Sequence, residues 1–295
     1  MLSILIPIYN FNVIAFVRDL QQQAYNCEID FEIICLDDFS SEQFKLGNKE
    51  LNNFDSVIYD ELNQNIGRSK IRNLLAQKAK YECLLFLDCD SAVVDSYFIK
   101  RYVDAIDNSS VIYGGRSYKE QSPKKSDEHF RWWYGVQRET IRLENRNKQP
   151  YDSFMTNNFL VKKTIYQSIK LEETLKGYGH EDTLFGLELK KQNIRIKHID
   201  NPLFHIGLES FEEYILKTEE GIRNLKYLIE TNKIDTSVKL YRYYLLLKKF
   251  GLTNKIWRYY SNNKKEILQK LQENEPNLRW FDLYKLGYLI SLTKP

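Results

Sequence analysis

The most regular feature of the chain is a set of short, unbroken apolar runs, each ending in polar or acidic residues. Residues 3–8 (SILIPI), 31–36 (FEIICL) and 83–87 (CLLFL) are too short for helices. Continuous hydrophobicity of this length predicts strands buried on both faces of a parallel sheet. Between them the apolar period lengthens. Val13, Phe16, Val17, Leu20 and Ala24 recur at helical spacing, as do Ile71, Leu74, Leu75 and Ala79, which predicts two helices. Asn10 is placed to cap the first, and Asn65-Ile66-Gly67-Arg68 opens the second. Residues 57–59, 111–113, 153–161 and 194–199 predict further strands, and 97–106 a helix. Strand, helix and strand in succession make βαβ units, so the expected fold class is α/β, with a mostly parallel sheet flanked by helices. From Phe211 onward the pattern is helical to the end, which divides the chain into 1–208 and a helical C-terminal extension, 209–295, packed on it.

Composition narrows the function classes. At 295 residues the chain can bury an ample core. A net charge of +3 is too small for a nucleic-acid binder. Four cysteines, Cys27, Cys35, Cys83 and Cys89, have neither zinc nor disulfide-framework spacing and read as buried free thiols of a reducing compartment. The apolar N-terminus lacks a basic flank and is broken by Pro7, so it reads as a strand and not as a signal peptide. No apolar segment approaches the roughly 18 residues that span a bilayer. These features together predict a cytoplasmic protein.

The candidate chemistry lies where the apolar runs stop. Asp88 and Asp90 follow the third run; on an extended chain both point the same way, at the sheet edge where α/β folds hold ligands. Two such oxygens suit a hard cation, Mg²⁺ or Mn²⁺, while an acidic turn explains an isolated Asp-x-Asp equally well. Asp37 and Asp38 close the second run, as a base contact or as a turn. Arg68 or Arg72, in the helix that Gly67 opens, suits a diphosphate or a carboxylate, and Gly114-Gly115-Arg116 ends the 111–113 run. Trp132 and Trp133 follow a charged loop, as a flap over a sugar or as buried anchors. Asn158 in an apolar run is costly without a partner, which points to a ligand. Gly177-Tyr178-Gly179-His180-Glu181-Asp182 makes a tight turn into a helix whose first residues are acidic, by function or by capping. His205 follows the last run, as a structural side chain or as a third metal ligand.

In order, SILIPIYN, IICLDDFS, NQNIGRSKIRN, LFLDCDS and GYGHEDTLFG resemble the family 2 glycosyltransferases of the GT-A fold. The resemblance covers about residues 1–208 and is closest to the branch whose C-terminal half is similar to galactosyltransferases. It implies a nucleotide-diphosphate sugar donor, most often a UDP-sugar. Pro7, Tyr9 and Asp38 match positions that hold uracil and ribose, and Asp88 and Asp90 the motif for ribose and the Mn²⁺ or Mg²⁺. His205 matches a third metal ligand, Asp182 the general base and Glu181 a sugar-contacting carboxylate. Tyr178 and His180, on the acceptor side, depart from the family's usual Trp and small residue. One base, with no second carboxylate in evidence as a nucleophile, implies inverting transfer.

Two other classes compete. A sugar-nucleotide-forming nucleotidyltransferase would carry a Gly-rich basic loop after the first strand, where this chain has Ile8-Tyr9-Asn10-Phe11-Asn12. A non-catalytic carbohydrate-binding relative would need no carboxylate for turnover. Residues 239–265 hold eight Lys or Arg and no acid, interleaved with aromatics. Such a stretch is either a solvated helical face or a surface that docks peripherally on the inner face of the cell membrane, in which case it favours a saccharide or lipid-linked saccharide acceptor of surface polysaccharide synthesis.

Overall fold

The structure, a computed structural model, describes residues 1–106 and 109–293. The chain opens with β1 (Leu2–Ile8), α1 (Ile14–Asn26), β2 (Phe31–Asp37), α2 (Glu42–Asn48), β3 (Val57–Glu61), α3 (Arg68–Lys78) and β4 (Cys83–Leu87). It continues through β5 (Ser91–Val93), α4 (Phe98–Ala105), β6 (Val111–Tyr113), β7 (Arg116–Ser117), α5 (His129–Tyr134), α6 (Leu143–Lys148), β8 (Asn158–Lys162) and α7 (Lys163–Ile169). Then come α8 (Glu181–Lys191), β9 (Ile196–His198), β10 (Leu203–His205), α9 (Phe211–Glu230), α10 (Lys239–Lys249), α11 (Thr253–Lys270) and α12 (Arg279–Leu292). Two compact units result. The first takes Met1–Tyr118, Thr140–Thr174 and Glu181–Gly207; the second takes Lys119–Glu139, Leu175–His180 and the chain from Leu208 on.

In the first unit a seven-stranded sheet runs β3-β2-β1-β4-β8-β6-β9. Only β8 is antiparallel to its neighbours, β4 and β6. Alternation along the strands puts apolar side chains on both faces. Leu2, Ile4, Ile6 and Ile8 of β1 pack with Phe16, Val17 and Leu20 of α1 and with Phe98 and Tyr102 of α4. Leu5, with Leu84 and Phe86 of β4, packs on the other face with Ile71 and Leu75 of α3 and with Phe185 of α8. A three-stranded sheet, β5-β10-β7, stands beside it in the same unit.

Several local expectations change. Asn10 does not cap α1: it has a positive φ of 49°, and its Oδ1 accepts from the Ser41 N–H, so it ties the β1 loop to the β2 loop. The strand expected over 153–161 starts at Asn158, because β4, its partner, ends at Leu87 opposite that residue. The cysteines are free, but only Cys35 is fully buried.

The second unit builds its own core. Phe130 of α5, Tyr214 of α9, Tyr260 and Ile267 of α11 and Phe281 of α12 form one cluster. α9 starts with a full capping box, in which the Ser210 side chain accepts from Glu213 N–H while the Glu213 carboxylate accepts from Ser210 N–H.

Candidate active site

The parallel register brings the ends of β1, β2, β4 and β6 to one edge of the sheet, and antiparallel β8 begins there. Pro7 is buried within β1, and Tyr9, just past it, is 55% exposed. Asp38 is buried, with its two carboxylate oxygens accepting from Ile66 N–H (2.7 Å) and Gly67 N–H (3.0 Å). Burial raises its pKa and these donors partly offset the rise. Asp38 thus fixes the loop that starts α3, where Gly67 has the positive φ of 87° that an L-residue tolerates poorly.

Past Leu87 the chain does not stay extended. It turns at Cys89 and Asp90 before β5, so the two carboxylates meet different partners. Asp88 is ion-paired with the buried guanidinium of Arg72, and Arg116 lies 3.5 Å from its other oxygen. Asp90 faces His205: the pairing of β10 with β5 sets His205 opposite Ser91, and Ile206 N–H donates to the Asp90 carbonyl at 2.9 Å. Asp90 Oδ1 and His205 Nδ1 are 3.5 Å apart. Burial pushes the Asp90 carboxyl up, but its neighbours His205, Arg116 and Arg68 outweigh burial and hold Asp90 well below the usual range.

Glu181 and Asp182 begin α8. Arg68 Nε donates to Glu181 Oε1 at 2.9 Å. Burial raises Glu181, yet Arg68 and Arg72 bring it below its ordinary value. Asp182 behaves oppositely: burial, then the Glu181 charge, push it up to about 6. Arg68 and Arg116 act on both Asp90 and Asp182, so one set of cations serves the two carboxylates. Arg72, expected with Arg68 to serve a diphosphate or a carboxylate, meets the Asp88 carboxylate; Arg116 is an addition that the sequence did not single out. Its signal is its place directly after the Gly114-Gly115 pair.

Asn158 is fully buried and its amide is spent on the fold. Its Nδ2 donates to the Gly115 and Asn201 carbonyls, and its Oδ1 accepts from Tyr102 Oη. The cost of burying it is met inside the chain, so its amide shapes the Gly115 loop. Gly115 has a φ of 108° and backs onto the Arg146 guanidinium.

The remaining predicted residues lie in the second unit. Trp132 donates to the Lys119 carbonyl and Trp133 to the Pro276 carbonyl. Tyr178 lies beneath Lys217 Nζ, 5.7 Å from the ring centroid, and His180 has a φ of 73°. The loop leading to Glu181 is clamped by α9. Asn224 donates to the carbonyls of Lys176, Tyr178 and Gly179, and Glu220 accepts from Tyr178 N–H.

For a metal, the described residues contain no group of three His, Cys, Asp or Glu side chains placed to hold an ion. Asp90 and His205 nevertheless fit a hard or borderline cation: Asp90 Oδ1 and both His205 nitrogens are buried and make no hydrogen bond among the described residues.

The family model of glycosyl transferase family 2 matches residues 3–168. The chain belongs to that family. That family is one of glycosyl transferases. A teichoic acid poly(glycerol phosphate) polymerase of Staphylococcus epidermidis is 25% identical over 225 residues, 72% of this chain, and the chain spans only 29% of that relative's length. Among solved structures, the 1–349 fragment of S. aureus TarS has a TM-score of 0.53 at 18% identity, covering 99% of this chain and 92% of that one. A Pyrobaculum calidifontis mannosyltransferase, in complex with GDP-Man and Mn²⁺, has a TM-score of 0.56 at 10% identity, over 78% of this chain and 64% of that one. These likenesses establish the GT-A type of fold.

Proposed function

We propose that this chain moves a sugar from a UDP-sugar to a hydroxyl of a saccharide or lipid-linked saccharide, with inversion, during surface polysaccharide synthesis at the inner face of the membrane. The observation that carries the reading is the contrast between two carboxylates under the same arginines: Asp90 held ionised beside His205, and Asp182 pushed up to about 6. Such divergence is what separate roles for two acids require.

In this reading Asp90 and His205 would hold a divalent cation, Mn²⁺ or Mg²⁺, whose chemistry would be Lewis-acid neutralisation of diphosphate charge. Asp88, engaged by Arg72 and Arg116, orients those cations on the donor side, and Pro7, Tyr9, Asp38 and Gly115 frame the nucleotide. Asp182 takes the proton of the attacking hydroxyl. A base with a pKa near 6 is ionised at neutral pH yet basic enough to accept that proton. Glu181, fixed by Arg68, contacts the sugar. A UDP donor is in keeping with TarS, whose structure is known in complex with UDP-GlcNAc.

The test is a thermal-shift titration against UDP, GDP, CDP and their sugars, with and without Mn²⁺, on wild type, Asp90→Ala and Asp182→Asn. A ligand at a hundredfold excess over its Kd stabilises by about 2.7 kcal/mol. Metal-dependent stabilisation by UDP, lost in Asp90→Ala but kept in a turnover-deficient Asp182→Asn, is expected. If no nucleotide shifts the transition, or if Asp182→Asn turns over normally, the assignment fails.

A further inference from the structure

We infer that the outer face of α10, with the turn into α11, is a docking surface for an anionic lipid bilayer. The inference gives the membrane part of the proposed function a location, and rests on that reading only for its purpose. The surface itself stands on three observations within the second unit.

The first is apolar exposure. α10 has no buried residue. Tyr243, Leu246 and Phe250 are 56%, 49% and 64% exposed, and their spacing of three and four residues puts them on one stripe of the helix. Past Gly251, whose φ of 66° makes the turn, Leu252 and Tyr259 are further exposed apolar side chains, at 36% and 45%. Contiguous exposed apolar side chains of this kind mark an interaction surface.

The second is charge. Of the eight Lys and Arg in 239–265, only Lys264 is ion-paired among the described residues, with Glu219. The other seven are all exposed. Elsewhere in the unit lysines find carboxylates, as Lys226 does with Glu230 and Lys270 with Glu266. Here no acid occurs in the stretch to receive them.

The third is their interleaving. Lys239, four residues before Tyr243, falls on the same stripe, and Arg242 and Lys249, each one residue before Tyr243 and Phe250, line one edge of it. A soluble polyanion would satisfy the cations and leave the leucines and Phe250 in water, whereas a bilayer interface takes both, cations at the headgroups and rings below them. No helix among the described residues is long and apolar enough to cross a membrane, so the contact is a surface one.

The test uses the full chain, co-sedimented with vesicles of phosphatidylcholine alone or of phosphatidylcholine and phosphatidylglycerol at about 3:1, with heparin retention as the polyanion control. Wild type should partition to the anionic vesicles at least tenfold more than to neutral ones, and less as salt rises. The Leu246→Ser/Phe250→Ser double variant should lose about tenfold of vesicle binding with heparin retention unchanged. Lys249→Glu/Lys255→Glu should lose both. Circular dichroism and the nucleotide thermal shift report that each variant is folded. Equal binding to neutral vesicles, vesicle binding insensitive to the serine variant, or heparin retention without vesicle binding would each overturn the proposal. Vesicle binding by a chain that binds no nucleotide would overturn the proposed function and leave the docking surface standing.

Discussion

Asp182 sits in the first turn of a helix, where the helix dipole favours a carboxylate, yet burial and the Glu181 charge raise its pKa to about 6. Two consequences follow with opposite signs. If Asp182 is the base, turnover falls on acidification through about pH 6 and is flat above it; a profile without that limb in kcat/KM removes it from the role. For stability, a raised carboxyl pKa means the native state holds its proton more tightly than the unfolded chain does. Asp182 therefore costs stability as pH rises from about 4 through about 6. Asp182→Asn should raise Tm at pH 7.5, by the equivalent of about 1–3 kcal/mol, with the gain vanishing near pH 4. Gly114 is a purely steric case. A Cβ there would lie 2.5 Å from Asn158 Nδ2 and 2.7 Å from Tyr102 Oη, and against the Asn201 carbonyl. Gly114→Ala should destabilise by about 1–3 kcal/mol in denaturant unfolding.

At the scale of elements, short strands do the positioning. β5 and β10 are three residues each, yet their register alone sets His205 against Asp90. The second positioning device is α9, where Asn224, 7% exposed, holds three carbonyls of the loop before Glu181. Asn224→Ala strands those carbonyls and should cost about 2–3 kcal/mol. Because it loosens the loop without touching a reacting group, we expect kcat to fall while the pH midpoint stays in place; Asn224→Asp, which can accept but not donate, should not rescue it. Unchanged hydrogen exchange at Tyr178 and Gly179 in Asn224→Ala would show that the clamp is not what orders the loop.

For the molecule as a whole, the elements and their burial were legible in the sequence because a strand covered on both faces has to be apolar at every position. The runs at 3–8, 31–36 and 83–87 became the sheet's centre, and the helical period at 71–79 became α3 with the same residues inward. The acidic endings of those runs were legible too, since polar residues mark where a strand leaves the core. Which partner each carboxylate meets was not. The extended reading of Asp88 and Asp90 failed because the chain turns at Cys89, and that turn is set by the pairing of Ser91 with His205, far apart in sequence. Asn158 read as a ligand group because a lone sequence cannot show Gly115, Asn201 and Tyr102 arriving around its amide. Local periodicity thus determined the strands, the helices and the order of the chemical motifs. Long-range pairing and burial decided the ion pair of Asp88 with Arg72, the approach of His205 to Asp90 and the raised carboxyl of Asp182, because partners and dielectric are properties of neighbours in space.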